Sequence, residues 1–243
     1  MSSLGKKYLM ALSGLILVGF VIGHMIGNLQ MFLHPDWINE YAYKLQTLPY
    51  GMLWVVRLVL LLAVIVHIVT AVLLVIENKK ARPQQYAVKK PFQASFASMT
   101  MRYTGLILLA FIVFHILHYT VQSVHPEFKE LKTELQDVGT IHGVYDKLAA
   151  VGKTEVHDVY SMVAIGFSAQ YWYVSLFYII SMVLLAFHLS HGISSMFQSL
   201  GFRNNVWRQR LDKAAVVIAW ALFVGFASIP VAVLLGIITP TQS

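Results

Sequence analysis

Six of the chain's ten histidines, His24, His67, His115, His118, His188 and His191, lie inside runs of apolar, small or hydroxylic residues. An unpaired or protonated imidazole is costly in hydrocarbon, so each is a candidate functional position rather than a packing choice. The stretch 186–202, AFHLSHGISSMFQSLGF, carries two of them and is the densest such segment. With no cysteine in the chain, there is no disulfide, no thiolate zinc and no cysteine-ligated iron–sulfur cluster of its own. Any metal must be held by imidazole.

The spacing of four of these histidines is regular. From Pro35 back to His24 is 11 residues, and from Pro126 back to His115 is also 11. From Pro49 forward to His67 is 18 residues, and from Gln170 forward to His188 is 18. On helices these counts put the rings at depths of about 16 and 27 Å from one boundary, in two layers of two. Counted from the opposite boundary, at Lys7, Arg102, Lys79 and Arg203, agreement is looser, at 17, 13, 12 and 15 residues. Two bis-histidine haems b need this arrangement, because each iron takes an imidazole from each of two facing helices at equal depth.

The flanking residues fit a flat macrocycle. Gly27 and Asn28 follow His24 by three and four positions, Ala63 and Ala71 flank His67 by four, and Gly192 follows His188 by four. Residues three or four apart share a helix face. His118 and His191 each sit three residues after a better-matched histidine and break the depth match. They are assigned supporting contacts or haem-propionate contacts. A carboxylate-bridged metal site is disfavoured, since the first four segments hold no acid except Glu77 at a helix end.

The elements that must carry these residues are membrane helices. The chain is 58% hydrophobic and only 12% charged, against about 25% charged in soluble domains. Five apolar segments, 8–33, 48–76, 103–124, 170–200 and 214–238, each reach the roughly 20 residues that span a bilayer. The expected fold is an all-α integral membrane protein, with four helices bundled around two haems and a fifth, without histidine or charge, packing outside. The first segment is too long for a signal peptide and reads as an uncleaved anchor. The net charge of +7 is a matter of topology rather than of nucleic acid. Twelve Lys and Arg fall on the side of the N-terminus against six on the other, which predicts a cytoplasmic N-terminus and an external C-terminus.

The connection 125–169 is long for a bundle. Residues 127–135 are helix-compatible and 159–167 suit a membrane surface, while His125, His142 and His157 read as solvated loop residues. No internal repeat is evident. Glu40 reads as an exposed residue of the first external loop with a candidate role in proton exchange. Arg57, in the outer part of the second helix, is placed to snorkel or to pair with a haem propionate.

In these residues the chain resembles the di-haem cytochrome b subunit of succinate dehydrogenase and quinol:fumarate reductase, the five-helix single-chain anchor. The resemblance covers all five helices. It rests on HMIGN at 24–28, LPYG at 48–51 followed by His67, Thr104-Gly105 followed by His115, and FHLSHG with Gly201 thirteen residues after His188. It implies His24 and His115 as ligands of an outer haem and His67 and His188 of an inner one. It also implies iron–sulfur and flavoprotein partner subunits, a quinone substrate such as menaquinone, and a bacterial cytoplasmic membrane. The chain would be the electron-transfer and quinone-reactive subunit of the enzyme. Some fumarate-reducing relatives carry a glutamate where this chain has Ala186, which argues against a proton path through that helix. Two other readings fit the same composition: the haem b subunit of another quinone-linked dehydrogenase, and a haem-free transporter or assembly protein.

Overall fold

The structure, a computed structural model, describes residues 2–81, 96–138 and 150–241. His142 and the basic residues Arg82, Lys89, Lys90 and Lys147 of the topology count lie outside them. The described residues are all-α apart from one hairpin: α1 (Ser3–Asn28), α2 (Pro35–Gln46), α3 (Met52–Lys80), α4 (Phe96–His115), β1 (Lys132–Val138), β2 (Ala150–His157), α5 (Val159–Gly166), α6 (Trp172–Ser199) and α7 (Arg208–Leu234). Helices α1, α3, α4, α6 and α7, with their short helical extensions, are long and apolar enough to cross a membrane. They leave large apolar side chains uncovered: Leu58 and Leu62 of α3 are each 62% exposed and Leu106 of α4 is 68% exposed. Contiguous apolar surface of this kind requires lipid, and the chain is a multi-pass membrane protein in contact with the bilayer.

The spanning helices thread through two compact units. Unit 1 comprises Met1–Ile22, Trp54–Gly105 and Leu185–Ala221. Its helix ends are tied by charge: Lys6 of α1 pairs with Glu77 of α3, and the Ser3 hydroxyl donates to the same carboxylate at 3.1 Å. Between α6 and α7, Arg203 donates to both oxygens of Asp212 at 3.2 and 2.8 Å, and the Ser194 hydroxyl donates to that carboxylate as well.

Unit 2 comprises Gly23–Leu53, Leu106–Leu184 and Leu222–Ser243. Its core joins Met31, Ile38, Tyr160, Ala164, Phe167, Tyr178 and Ile229. The connection expected to begin as a helix over 127–135 is instead a single 3-10 turn, Pro126–Glu130, followed by β1. The strand wins because Thr133 and Leu135 alternate with Lys132, Glu134 and Gln136, so one face can be buried. Leu135 and Val156 pack under Tyr43 of α2, while Lys132–Glu155 and Lys153–Glu134 pair across the exposed face. Residues 159–166, expected at the membrane surface, form a helix, α5, most of which is buried in the unit 2 core.

A buried polar knot ties α2, α5 and the C-terminal segment together. Asp158, 5% exposed, accepts hydrogen bonds from Asn39 Nδ2 at 3.1 Å, the Ser161 backbone N–H at 3.0 Å and Thr241 Oγ1 at 2.9 Å. Asn39 accepts in turn from the Tyr160 N–H at 2.9 Å. Asp158 thus caps α5, and its carboxylate also accepts from two segments distant in sequence, α2 and the C-terminal segment. Burial opposes its ionisation, but the hydrogen bonds from Ser161, Asn39 and Thr241 together outweigh burial and hold the carboxyl below its ordinary value of 3.8. A depressed folded-state pKa contributes stability above the ordinary value that is lost as pH falls through the lowered one. Asp158→Ala is expected to cost about 2–4 kcal/mol, from the cap and the unpaired donors left behind. Asp158→Asn is expected to flatten the acid limb of a stability-against-pH curve measured by thermal denaturation in detergent; an unchanged acid limb would contradict the assignment.

Candidate functional site

Four of the intramembrane histidines meet in two pairs, one in each unit. In unit 1, His67 of α3 and His188 of α6 face each other with ring centroids 6.4 Å apart. In unit 2, His24 of α1 and His115 of α4 face each other with centroids 5.8 Å apart. Both pairings are those that the depth count predicts. Two imidazoles on opposite sides of one metal ion, each bound through nitrogen at about 2 Å, put their centroids about 6 Å apart.

The unit 1 rings are held by hydroxyls from the neighbouring helix. Ser13 Oγ lies 3.4 Å from His67 Nδ1, and Thr104 Oγ1 lies 3.2 Å from His188 Nδ1. Each hydroxyl has one proton, and each is directed to a backbone carbonyl of its own helix: Ser13 to Leu9 at 2.8 Å, Thr104 to Met101 at 3.1 Å. The hydroxyl oxygens must therefore accept from the rings. Nδ1 carries the proton in both, and Nε2 keeps the lone pair that a metal needs. The next residues are Gly14 and Gly105, where an added Cβ would sit 3.5 and 3.4 Å from Cε1 of His67 and His188.

These contacts reveal a short internal repeat that the linear reading missed. Ser13-Gly14 is followed after nine residues by His24, and Thr104-Gly105 after nine residues by His115. Helices α1 and α4 thus each carry a hydroxyl–glycine step that supports the histidine of another helix, and a histidine of their own. Alignment of the two helices on His24 and His115 would have exposed the step.

In unit 2, His115 stacks on Phe111 at 5.8 Å, and its Nδ1 lies 3.3 Å from the Tyr178 hydroxyl of α6. The Asn28 amide, a donor only, approaches His24 Nε2 at 3.4 Å, which marks that nitrogen as the unprotonated one. His118 is fully buried, in a single π-helical turn (Ile116–Thr120) that follows α4, and its Nδ1 lies 3.1 Å from the same Tyr178 hydroxyl. His191 belongs to unit 1 and approaches Ser195 Oγ at 3.5 Å.

Other predicted positions fall differently. Glu40 is not an exposed loop residue: it lies on α2, its side chain is fully buried, and Lys44 one turn later pairs with it at 2.6 Å. The apolar positions of α2 pack against the hairpin and α5 and carry Glu40 inward with them. Arg57 is exposed and stacks on Trp54 of its own helix, 4.9 Å from the ring centroid. The space beside Gly27 belongs to Tyr41, whose ring would lie 2.9 Å from an added Cβ, so that glycine admits α2 rather than a macrocycle. Beside Gly192 stands only the flexible tip of Met101, at 3.4 Å. His125 is buried, not solvated, and stacks on Phe128 at 4.8 Å; half-buried His157 meets Gln122 at 3.0 Å and the Leu131 carbonyl at 2.9 Å.

The donor set decides what kind of metal group fits. Among the described residues no three His, Asp or Glu side chains converge as a metal site. A bare transition-metal ion would find two ligands per pair and want at least two more. A metal that brings its own equatorial nitrogens needs only the two imidazoles, and that is haem. The helix spacing agrees. Within either unit, Cα approaches below 8 Å between spanning helices are isolated among the described residues, whereas helices packed with axes about 8–10 Å apart make runs of them. The two concavities of about 600 and 350 Å³ are lined by residues between Phe197 and Val217 and include no histidine. They are surface features of the α6–α7 connection.

Compared with known proteins, the chain matches no family model, no curated protein and no solved structure.

The tautomer assignment is directly testable on protein without metal. Nitrogen-15 NMR of labelled histidine should show His67 and His188 protonated at Nδ1. Thr104→Val, which keeps the shape and removes the acceptor, should shift His188 toward the Nε2–H form and leave His67 unchanged. An unaltered His188 tautomer in that variant would overturn the assignment.

Proposed function

We propose that the chain is a di-haem cytochrome b: a membrane anchor and electron-transfer subunit that exchanges electrons with a quinone in the bilayer. The observation that carries this reading is the facing of two histidine pairs on four spanning helices, with Nε2 left unprotonated where hydroxyls fix the ring. His67 and His188 would hold one haem, and His24 and His115 the other. When bound, each haem supplies one-electron redox chemistry at a potential set by its ligands and their hydrogen bonds.

The chain's own residues do the rest. Ser13 and Thr104 orient the unit 1 rings and raise their basicity by accepting the Nδ1 protons. Gly14, Gly105 and Gly192 keep the ring environment uncrowded. The partners that suit the wiring are a soluble iron–sulfur subunit and a flavoprotein, as in the succinate:quinone oxidoreductases that the sequence resembles, with menaquinone as the quinone. The basic termini of the helices suit a cytoplasmic N-terminus in a bacterial inner membrane. The burial of Glu40 in α2 and its ion pair with Lys44 remove the solvent access on which a proton-exchange role in an exposed loop depended. Arg57, stacked on Trp54 and exposed, fits snorkelling at the membrane surface.

A reduced-minus-oxidised spectrum of the purified protein should show a haem b α-band, with pyridine haemochrome giving about two haems per chain. His188→Ala is expected to lower that ratio to about one, and His191→Ala to leave it unchanged. A haem-free protein that keeps its fold would overturn the reading in favour of a transporter or assembly factor. The reverse pattern between the two variants would move the ligand role to His191.

A further inference from the structure

The two histidine pairs are not supported alike. In unit 1 the supporting groups are aliphatic hydroxyls whose protons return to their own helix backbone. In unit 2 the supporting group is a phenol placed between two histidines. Tyr178 Oη lies 3.3 Å from His115 Nδ1 and 3.1 Å from His118 Nδ1, and Tyr178 is 7% exposed while His118 is fully buried.

A phenol has one proton, and two ring nitrogens face its oxygen, so the bonds have a direction. If His115 binds metal through Nε2, its Nδ1 must be N–H and must donate to Tyr178. The phenol proton then goes to His118 Nδ1, which must be the unprotonated nitrogen of that ring. The result is one chain: His115 Nδ1–H donates to Tyr178 Oη, and Tyr178 O–H donates to His118 Nδ1. His118 is thereby protonated at Nε2, an atom that has no hydrogen-bond partner among the described residues. A buried orphan donor carries a cost of about 1–3 kcal/mol, and the structure tolerates it where the other ring nitrogen takes the phenol proton. The surroundings fix both rings: Tyr119 stacks on His118 with centroids 3.9 Å apart, and Phe111 packs edge-on to Tyr178 at 5.0 Å.

We infer that Tyr178 is a positioning residue for His115 and that His118, acting through Tyr178, sets how strongly the phenol oxygen accepts the His115 proton. Hydrogen bonds in series strengthen one another, so a phenol that donates to His118 is a better acceptor for His115. A ring that shares its Nδ1 proton is a more electron-donating ligand and favours the oxidised metal. The haem of the His24–His115 pair is thus held at a lower potential than it would have without the relay, and His118 acquires a role distinct from ligation. This inference rests on the haem reading proposed above.

The test is a redox titration of the purified haem-loaded protein, in wild-type form and in three variants. Tyr178→Phe keeps the ring and removes the relay. It should raise the reduced-to-oxidised ratio of one haem on the order of tenfold at fixed poise, the worth of one hydrogen bond, and leave the other haem unchanged. His118→Leu removes the acceptor of the phenol proton and should move the same haem in the same direction by less. His118→Asn restores an acceptor and should return the titration toward wild type, which a purely structural role would not do. Two unchanged potentials in Tyr178→Phe, with both haems bound, overturn the relay and leave the haem reading standing. A displaced haem in Tyr178→Phe with wild-type titration in His118→Leu also overturns it, since His118 would then have no part. A wild-type protein without haem overturns the haem reading and the relay with it.

Discussion

The structure depends on one constraint: an imidazole inside a bilayer is costly unless its ring nitrogens find partners. Backbone groups in a spanning helix largely satisfy one another, so a histidine there depends mainly on side chains of its own or neighbouring helices, or on a bound group. His67 and His188 meet this requirement through Ser13 and Thr104, which come from α1 and α4. Those hydroxyls serve as acceptors because their own protons are taken by backbone carbonyls one turn earlier. The tautomer of each ring is therefore a consequence of ordinary helix geometry, and Nε2 is the nitrogen left unprotonated.

The same requirement explains the asymmetry of the two units. Unit 1 is light in core apolar residues and is tied at its ends by ion pairs, Lys6 with Glu77 and Arg203 with Asp212. Unit 2 has an aromatic interior, with Phe111, Phe114, Phe167, Phe177 and Tyr178 packed edge to face around His115 and His118. Aromatic pairs of this kind add direction to apolar burial, and they hold a phenol where unit 1 uses an aliphatic hydroxyl. The Asp158 knot closes unit 2 from the connection between α4 and α6. It joins residues from α2, α5 and the C-terminal segment into one fully bonded cluster, which a long structureless loop could not do.

Spanning helices gain no hydrophobic driving force from meeting each other in lipid, so close approach requires small residues or polar links. Among the described residues such links include the hydroxyl–glycine steps of α1 and α4, Gly225 under Met25, the Lys6–Glu77 and Arg203–Asp212 pairs, and the aromatic contacts of unit 2. The donor set of two imidazoles per pair would suit a metal that arrives already held by four nitrogens.

The sequence by itself determined the membrane class, the five spanning segments, the histidines within them and their pairing by depth. Those features are sums over neighbouring residues or counts along a helix, and the 1.5 Å rise converts a count into a depth. Only the tertiary structure decided which side chains hold the rings. Ser13, Thr104 and Tyr178 sit 54, 84 and 63 residues from the histidines they touch, and no local pattern reports which way each helix is rotated. The burial of Glu40, the Tyr41 ring beside Gly27, and the hairpin in place of a helix near residue 132 were hidden for the same reason. Each is set by what packs against the segment rather than by the segment's own composition.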